Sequence, residues 1–208
     1  MAILAFCASF FTFASLVLEI FTLIGNTYNR PFLRNLYFAK LFQNNRSVQF
    51  GLWNSCSGQG GYVTECTHPQ PAYVWSNAEG LSGLVDGLNG HDKLFLANFI
   101  LYWIAFGLTL FALVITLLSN FRRSSDLLAS FACFIAFVVM LVVFIIVLVI
   151  SLRGINAAKG VDSSISGFLG PSTWMTLGAM VGLLLASLWY CFACCCGSGR
   201  RVRDADKA

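Results

Sequence analysis

The chain has 208 residues, 58% of them hydrophobic and 11% charged, with a formal net charge of +4 and a mean hydropathy of +0.76. These values lie outside the range of soluble domains and point to a membrane protein. About half of the chain falls in apolar, charge-poor segments long enough to cross a bilayer. That leaves no room for a large catalytic, nucleotide-binding or nucleic-acid-binding domain.

The first apolar segment, residues 1–25, is interrupted only by Glu19. A secretory signal would carry a basic n-region and a small-residue cleavage site, whereas this segment opens Met1-Ala2-Ile3-Leu4 without positive charge, so an uncleaved span is expected. An ionised carboxylate within a span costs about 2.5–3.5 kcal/mol on insertion scales and needs a partner, a proton or water. Glu19 is therefore expected about two turns from the outer end, bonded to another helix or to the outer cap; the functional alternative is an ion or proton site. Segments 94–119, 127–151 and 172–196 contain no Asp, Glu, Lys or Arg, giving four spans. The expected fold class is a membrane all-α four-helix bundle in a single domain, capped on the outside.

Orientation follows from basic residues in short loops. Loop 120–126 holds Arg122 and Arg123, and tail 197–208 holds Arg200, Arg201, Arg203 and Lys207. Both are placed in the cytosol, together with the N-terminus. Loops 26–93 and 152–171 then face outward. The charge excess thus reports orientation mainly, although the inner basic residues also suit anionic lipid headgroups.

The long outer loop carries the most informative residues. Asn45-Arg46-Ser47 is a glycosylation sequon at Asn45. Phe50-Gly51-Leu52-Trp53-Asn54-Ser55-Cys56 is followed ten residues later by Cys66. These are the only two of eight cysteines on the outer, oxidising side, so they should pair, closing a loop worth about 3 kcal/mol on the chain-entropy model. Segments 47–53 and 61–66 have strand-like composition, and Ser57-Gly58-Gln59-Gly60 reads as the turn between them. Leu81, Leu84, Val85 and Leu88 fall on one face of a short helix over 82–88.

Gly51-Leu52-Trp53, Cys56 and Cys66 in the first outer loop of a four-span chain resemble the claudin signature. The resemblance implies a left-handed bundle with a small extracellular antiparallel sheet, mostly from loop one with one strand from loop two, and the Trp53 indole packed at the bundle's outer end. Claudins carry a further Trp before Gly-Leu-Trp; here Phe32, Tyr37 or Phe38 would fill that place. The end Asp206-Lys207-Ala208 offers no hydrophobic residue to a PDZ groove, so a tight-junction role is not implied. The long loop and the Gly-Leu-Trp-Asn-Ser-Cys form look most like the fungal claudin-like tetraspans, the eisosomal and PalI-type proteins. That family implies a plasma-membrane, non-enzymatic protein. It would organise membrane domains or serve as an accessory subunit of a larger assembly concerned with the cell wall or surface, with an ion-flux or ambient-pH-sensing role as the alternative.

Other features carry smaller expectations. Cys191, Cys194, Cys195 and Cys196 run into a basic tail, a setting for palmitoylation. Gly178 and Gly182 form a Gly-x-x-x-Gly pair, with Ala186 one turn on, read as helix packing within the bundle, with a homo-oligomer seam as the alternative. Span three, nearly all Val, Ile, Phe and Leu over 138–150, is expected to be the most lipid-exposed helix or to dock on an apolar partner. His68 and His91, with Glu65, Glu79, Asp86 and Asp92, read as solvated surface, and no metal ligand set, cofactor motif or catalytic triad is recognisable. The expected partners are the lipid bilayer and other membrane proteins.

Overall fold

A computed structural model of the chain describes residues 2–27, 30, 32–60, 62–78, 92–121 and 126–197. Four long helices, α1 (Ala2–Ile24), α2 (Asp92–Phe121), α3 (Asp126–Val161) and α4 (Pro171–Gly197), are joined by five strands, β1 (Ala39–Gln43), β2 (Arg46–Phe50), β3 (Ser55–Gln59), β4 (Tyr62–Cys66) and β5 (Ser166–Leu169). Each helix is long and apolar enough to cross a membrane, as required where lipid offers the backbone no hydrogen bonds. α1 packs on α2 and α4, and α3 on α2 and α4, closing an antiparallel ring of four.

A seven-residue repeat sets that packing. The buried positions step by four and three along every helix: Ala8, Thr12, Ser15, Glu19 and Thr22 on α1, with Asn26 in the turn just past its end; Phe95, Asn98, Tyr102, Ala105, Thr109, Ala112 and Thr116 on α2; Ala129, Cys133, Ala136, Met140, Val143, Val147 and Ile150 on α3; Ser172, Thr176, Ala179, Leu183, Ala186, Tyr190 and Ala193 on α4. A strict heptad imposes left-handed coiling with interdigitating side chains. The α1 seam is almost wholly polar and the α3 seam is apolar. Span three shares with α2 the place of least buried span, below α4 and α1.

The strands form one antiparallel sheet in the order β4-β3-β2-β1-β5. Four come from the segment between α1 and α2, and β5, from the segment between α3 and α4, pairs with β1 through Ala39 opposite Leu169 and Phe42 opposite Ser166. Period-two alternation puts Ala39, Leu41, Val48 and Phe50 on one face. They are buried in the same core as Trp75, Phe95, Val147 and Ile155, so the sheet rests on the ends of α2 and α3. Two sequence expectations are corrected here. Ser57, Gly58 and Gln59 lie inside β3 and the turn begins at Gly60, which has φ +64°. Gly58 is needed in the strand because a Cβ there would collide with the Tyr62 carbonyl, at the irregular register between Ser57 and Gly58. The helix of span three also continues ten residues beyond the apolar segment, to Val161. Hydropathy ends at the water boundary, whereas Ala157 and Ala158 favour continued helix. The short helix expected over 82–88 lies outside the described residues.

Candidate functional site

The junction between sheet and bundle is built from the outer-loop motif. Gly51 donates its N–H to the Asn54 carbonyl, 2.9 Å away, folding the motif into a tight turn that buries Leu52. A Cβ on Gly51 would stand 2.8 Å from Asn26 Cβ, so only glycine lets the turn touch the end of α1. The turn throws Trp53 onto the bundle, where its indole N–H donates to the Leu23 carbonyl at 2.6 Å and its ring meets Phe99 edge-on with centroids 4.9 Å apart. Cys56 on β3 and Cys66 on β4 stand opposite each other and are disulfide-bonded. Cys56 Sγ lies 3.2 Å from Asn26 Oδ1, a contact only, since a disulfide sulfur has no proton to give.

A second tryptophan completes the junction, and sequence reasoning passed over it. Trp75 stacks on Phe50 at 4.8 Å and lies against Phe95 of α2, while its N–H donates to the Gly51 carbonyl at 3.1 Å. The partner tryptophan thus follows the motif instead of preceding it. Of the residues considered for the earlier place, Phe38 is buried edge-on to Tyr102, Tyr37 meets Phe168, and Phe32 is exposed beside Phe21.

On the sheet's other face Lys40 is nearly buried, its ammonium 4.6 Å from the Phe42 ring centre. With the Gln49 amide assigned so that its oxygen accepts from Lys40 Nζ at 3.2 Å, its NH2 donates to the Arg34 carbonyl at 2.7 Å. Burial lowers the Lys40 ammonium below the ordinary lysine range and raises the Tyr37 phenol. Asp162, in the second outer loop, is held below the ordinary aspartate value by the Ser164 backbone N–H, then by the Ser164 and Gln43 side chains.

Inside the bundle Glu19 has no exposed surface. Oε1 accepts from Thr109 Oγ1 of α2 at 2.8 Å, while Oε2 has no partner. Hydroxyls are also paired across the helices: Tyr102 with Thr176 at 2.8 Å on the sheet side of Glu19, and Ser9 with Tyr190 at 2.9 Å toward the opposite end of the bundle. Gly178 and Gly182 face α1, the first against Leu18 and the second so close to Ser15 that any side chain there would collide.

The remaining predicted residues are scattered. Asn45 is exposed at the tip of the β1–β2 turn, beside Asn44 with φ +53°. Cys191 is exposed near the far end of α4, and Cys194, Cys195 and Cys196 follow on the same helix. His68 is exposed and lines a polar concavity with Ser55, Ser57, Glu65, Thr67 and Gln70. His91, Glu79, Asp86, Arg122, Arg123 and the basic tail lie outside the described residues. Among the described residues no three His, Cys, Asp or Glu side chains come together as metal ligands.

A family model described as the SUR7/PalI family matches residues 4–190, which takes in the sheet, both disulfide cysteines, α2, α3 and most of α1 and α4. The chain belongs to the SUR7/PalI family. It is a multi-pass membrane protein of that family, and its four apolar helices with a small five-stranded antiparallel sheet are the claudin-like membrane fold. No individually curated protein matches the chain. The matched residues end one position before Cys191. The sequence did contain signals for what was passed over. Asn44-Asn45 between alternating segments marks the β1–β2 hairpin, and the repeat from Ala8 to Asn26 marks a polar seam.

Proposed function

We propose that this chain is a non-enzymatic organiser of plasma-membrane domains, or an accessory subunit of a larger surface assembly concerned with the cell wall, acting through lateral and outer contacts. The observation that carries this reading is the edge strand β4. It ends the sheet, and Tyr62, Thr64 and Glu65 are exposed on it. It borders the polar concavity at Ser57, Thr67 and His68. A strand edge that no further strand covers among the described residues, on a disulfide-stapled base, is suited to pairing with another chain. In this reading the sheet faces outward, both termini are cytosolic and Asn45 carries glycan. Palmitoyl chains on Cys191, Cys194, Cys195 and Cys196, together with the basic tail near anionic lipid, bias the protein toward particular lipid surroundings. Gly178 and Gly182 serve the α1–α4 contact within one chain.

The test is lateral mobility of tagged protein in the living membrane, with mass spectrometry of co-purifying proteins. Thr64→Pro blocks the edge from pairing, and is expected to free the protein to diffuse and to lose its partners while the Cys56–Cys66 bond still forms. Unchanged confinement and partners would remove the edge as the contact surface. A second reading, conduction or response to outside pH, is favoured by the buried Glu19 carboxylate. Glu19→Gln with ion flux and pH response recorded separates it, since an unchanged response eliminates conduction.

A further inference from the structure

The unpartnered buried polar atoms are distributed on one side only. Among the described residues they are Glu19 Oε2, Asn26 Nδ2, Asn54 Oδ1, Asn98 Oδ1, Ser151 Oγ and Ser172 Oγ. Every one lies at the level of Glu19 or between Glu19 and the sheet. On the opposite half the buried hydroxyls are matched: Thr12 donates to the Ala8 carbonyl, Ser9 pairs with Tyr190, Thr116 donates to the Leu113 carbonyl, and Ser130 and Ser187 bond each other's carbonyls. An orphaned polar group in a membrane interior costs far more than a satisfied one. Five of the six orphans are oxygens able to accept, so what would satisfy them is a source of positive charge or O–H.

Polar groups are lined up from the sheet end toward Glu19. At the sheet end a cavity with room for a water molecule is lined by Phe38, Trp75, Phe95, Asn98 and Ile150. One turn further in from Asn98 stands Tyr102, bonded to Thr176 and flanked by Thr22. Glu19 and Thr109 lie next, with Glu19 about 10 Å along α1 from Asn26. Among the described residues the titratable group facing this column is Tyr102 from α2, while Cys133 from α3, which contacts Thr12, and Tyr190 from α4, which bonds Ser9, lie toward the opposite end. No cationic side chain among the described residues makes an ion pair with Glu19.

We propose that Glu19, with the hydroxyls of Thr22, Thr109, Tyr102 and Thr176, forms an occluded intramembrane site for one positive charge. The charge is delivered from the sheet side as a proton or an alkali-metal ion. A bare carboxylate there has no countercharge among the described residues, and a proton on Oε2 or an alkali ion seated against it supplies one. The ligands are all hard oxygens, which suit a proton or an alkali ion and not a soft metal. This deepens the second reading above without requiring flux: a site that loads and never conducts survives a negative flux experiment and fails only the one below.

Dicyclohexylcarbodiimide enters through lipid and reacts with protonated carboxyls. The acid proton passes to a carbodiimide nitrogen and the carboxylate oxygen bonds the central carbon. Acyl transfer from oxygen to nitrogen then leaves a stable N-acylurea that peptide mapping locates. The full chain is reconstituted in phosphatidylcholine vesicles selected for the sheet-out orientation, with pH clamped separately on each side and Glu19→Gln as the unlabelled control. Labelling at Glu19 is expected to fall several-fold as the sheet-side pH is raised and to ignore the opposite side. Replacing N-methylglucamine with sodium at constant ionic strength on the sheet side identifies the carrier: protection means an alkali ion, indifference with pH dependence means a proton. Asn98→Leu is expected to weaken the response to sheet-side pH, and Thr12→Val to leave it intact. The proposal is overturned if folded protein is never labelled although SDS-unfolded protein is, if labelling follows the opposite side's pH, or if it responds to neither pH nor sodium.

Discussion

The seams of α1 and α3 occupy equivalent places in one bundle and are built from opposite materials. Thr12, Ser15, Glu19, Thr22 and Asn26 are as deeply buried as Ala136, Met140, Val143, Val147 and Ile150. In water such a polar stripe would face solvent. In a bilayer the outer surface is hydrocarbon, so burial of apolar groups gains little and polar groups are driven inward to find one another. The lipid-facing positions of both helices are accordingly apolar, with Phe6, Phe10 and Phe13 on α1 and Phe131, Phe134 and Val142 on α3 exposed. The lesson is that in this chain polarity marks the inside of α1, whereas on α3 nothing but position in the heptad does.

The sharpest break of that contrast places a charge in the apolar seam. Val143→Asp leaves a carboxylate without hydroxyl neighbours and is expected to cost about 3 kcal/mol, read as loss of monodisperse protein in mild detergent. Retained folding would show that the α3 seam tolerates what only the α1 seam is built to hold. Next in size, Gly182→Leu forces α4 off Ser15, with about 2 kcal/mol of overpacking and a lower thermal unfolding midpoint. Thr109→Val removes the one donor to Glu19 Oε1 among the described residues at nearly constant volume. It should cost about 1 kcal/mol, measured by the same melt, whereas the matched change Val147→Thr on α3 should be as costly in the opposite chemical direction.

The smallest expected effect lies outside the membrane, at Asp162. Its carboxyl is held below the ordinary aspartate value, so its contribution to the second outer loop is complete above that ordinary range and is lost as pH falls through the lowered value. Hydrogen exchange at the Ser164 amide should therefore accelerate on acidification in the native chain. Asp162→Asn should flatten that pH dependence, and an unchanged profile would show that the Asp162–Ser164 bond is incidental.

Span number, the disulfide and the claudin-like architecture were legible because each rests on a signal local in sequence: charge-free runs, the compartment of two cysteines, and a seven-residue motif. Trp75 was not legible as the motif's partner. Its role depends on a stack with Phe50 and Phe95 that forms only when sheet and α2 meet. The resemblance implied a strand from loop two, but the residues of β1 and β5 were hidden for a related reason. Ala39–Gln43 alternates weakly and Ser166–Leu169 is four residues long, and β5 becomes a strand only by pairing with β1, which itself pairs with β2. Glu19 was visible as an anomaly, but its donor sits on a different helix 90 residues away, which no single-chain spacing reveals.

α3 has 36 residues, about 54 Å of helix at 1.5 Å per residue, against a hydrocarbon layer of roughly 30 Å. Its last turns reach the sheet directly, where Ile155 lies under Gly167 of β5, and only residues 162–165 separate the helix from that strand. The helix thus acts as a strut of fixed length. Because β5 is in turn zipped to β1, the end of α3 is tied to the whole sheet both by packing and by a four-residue link.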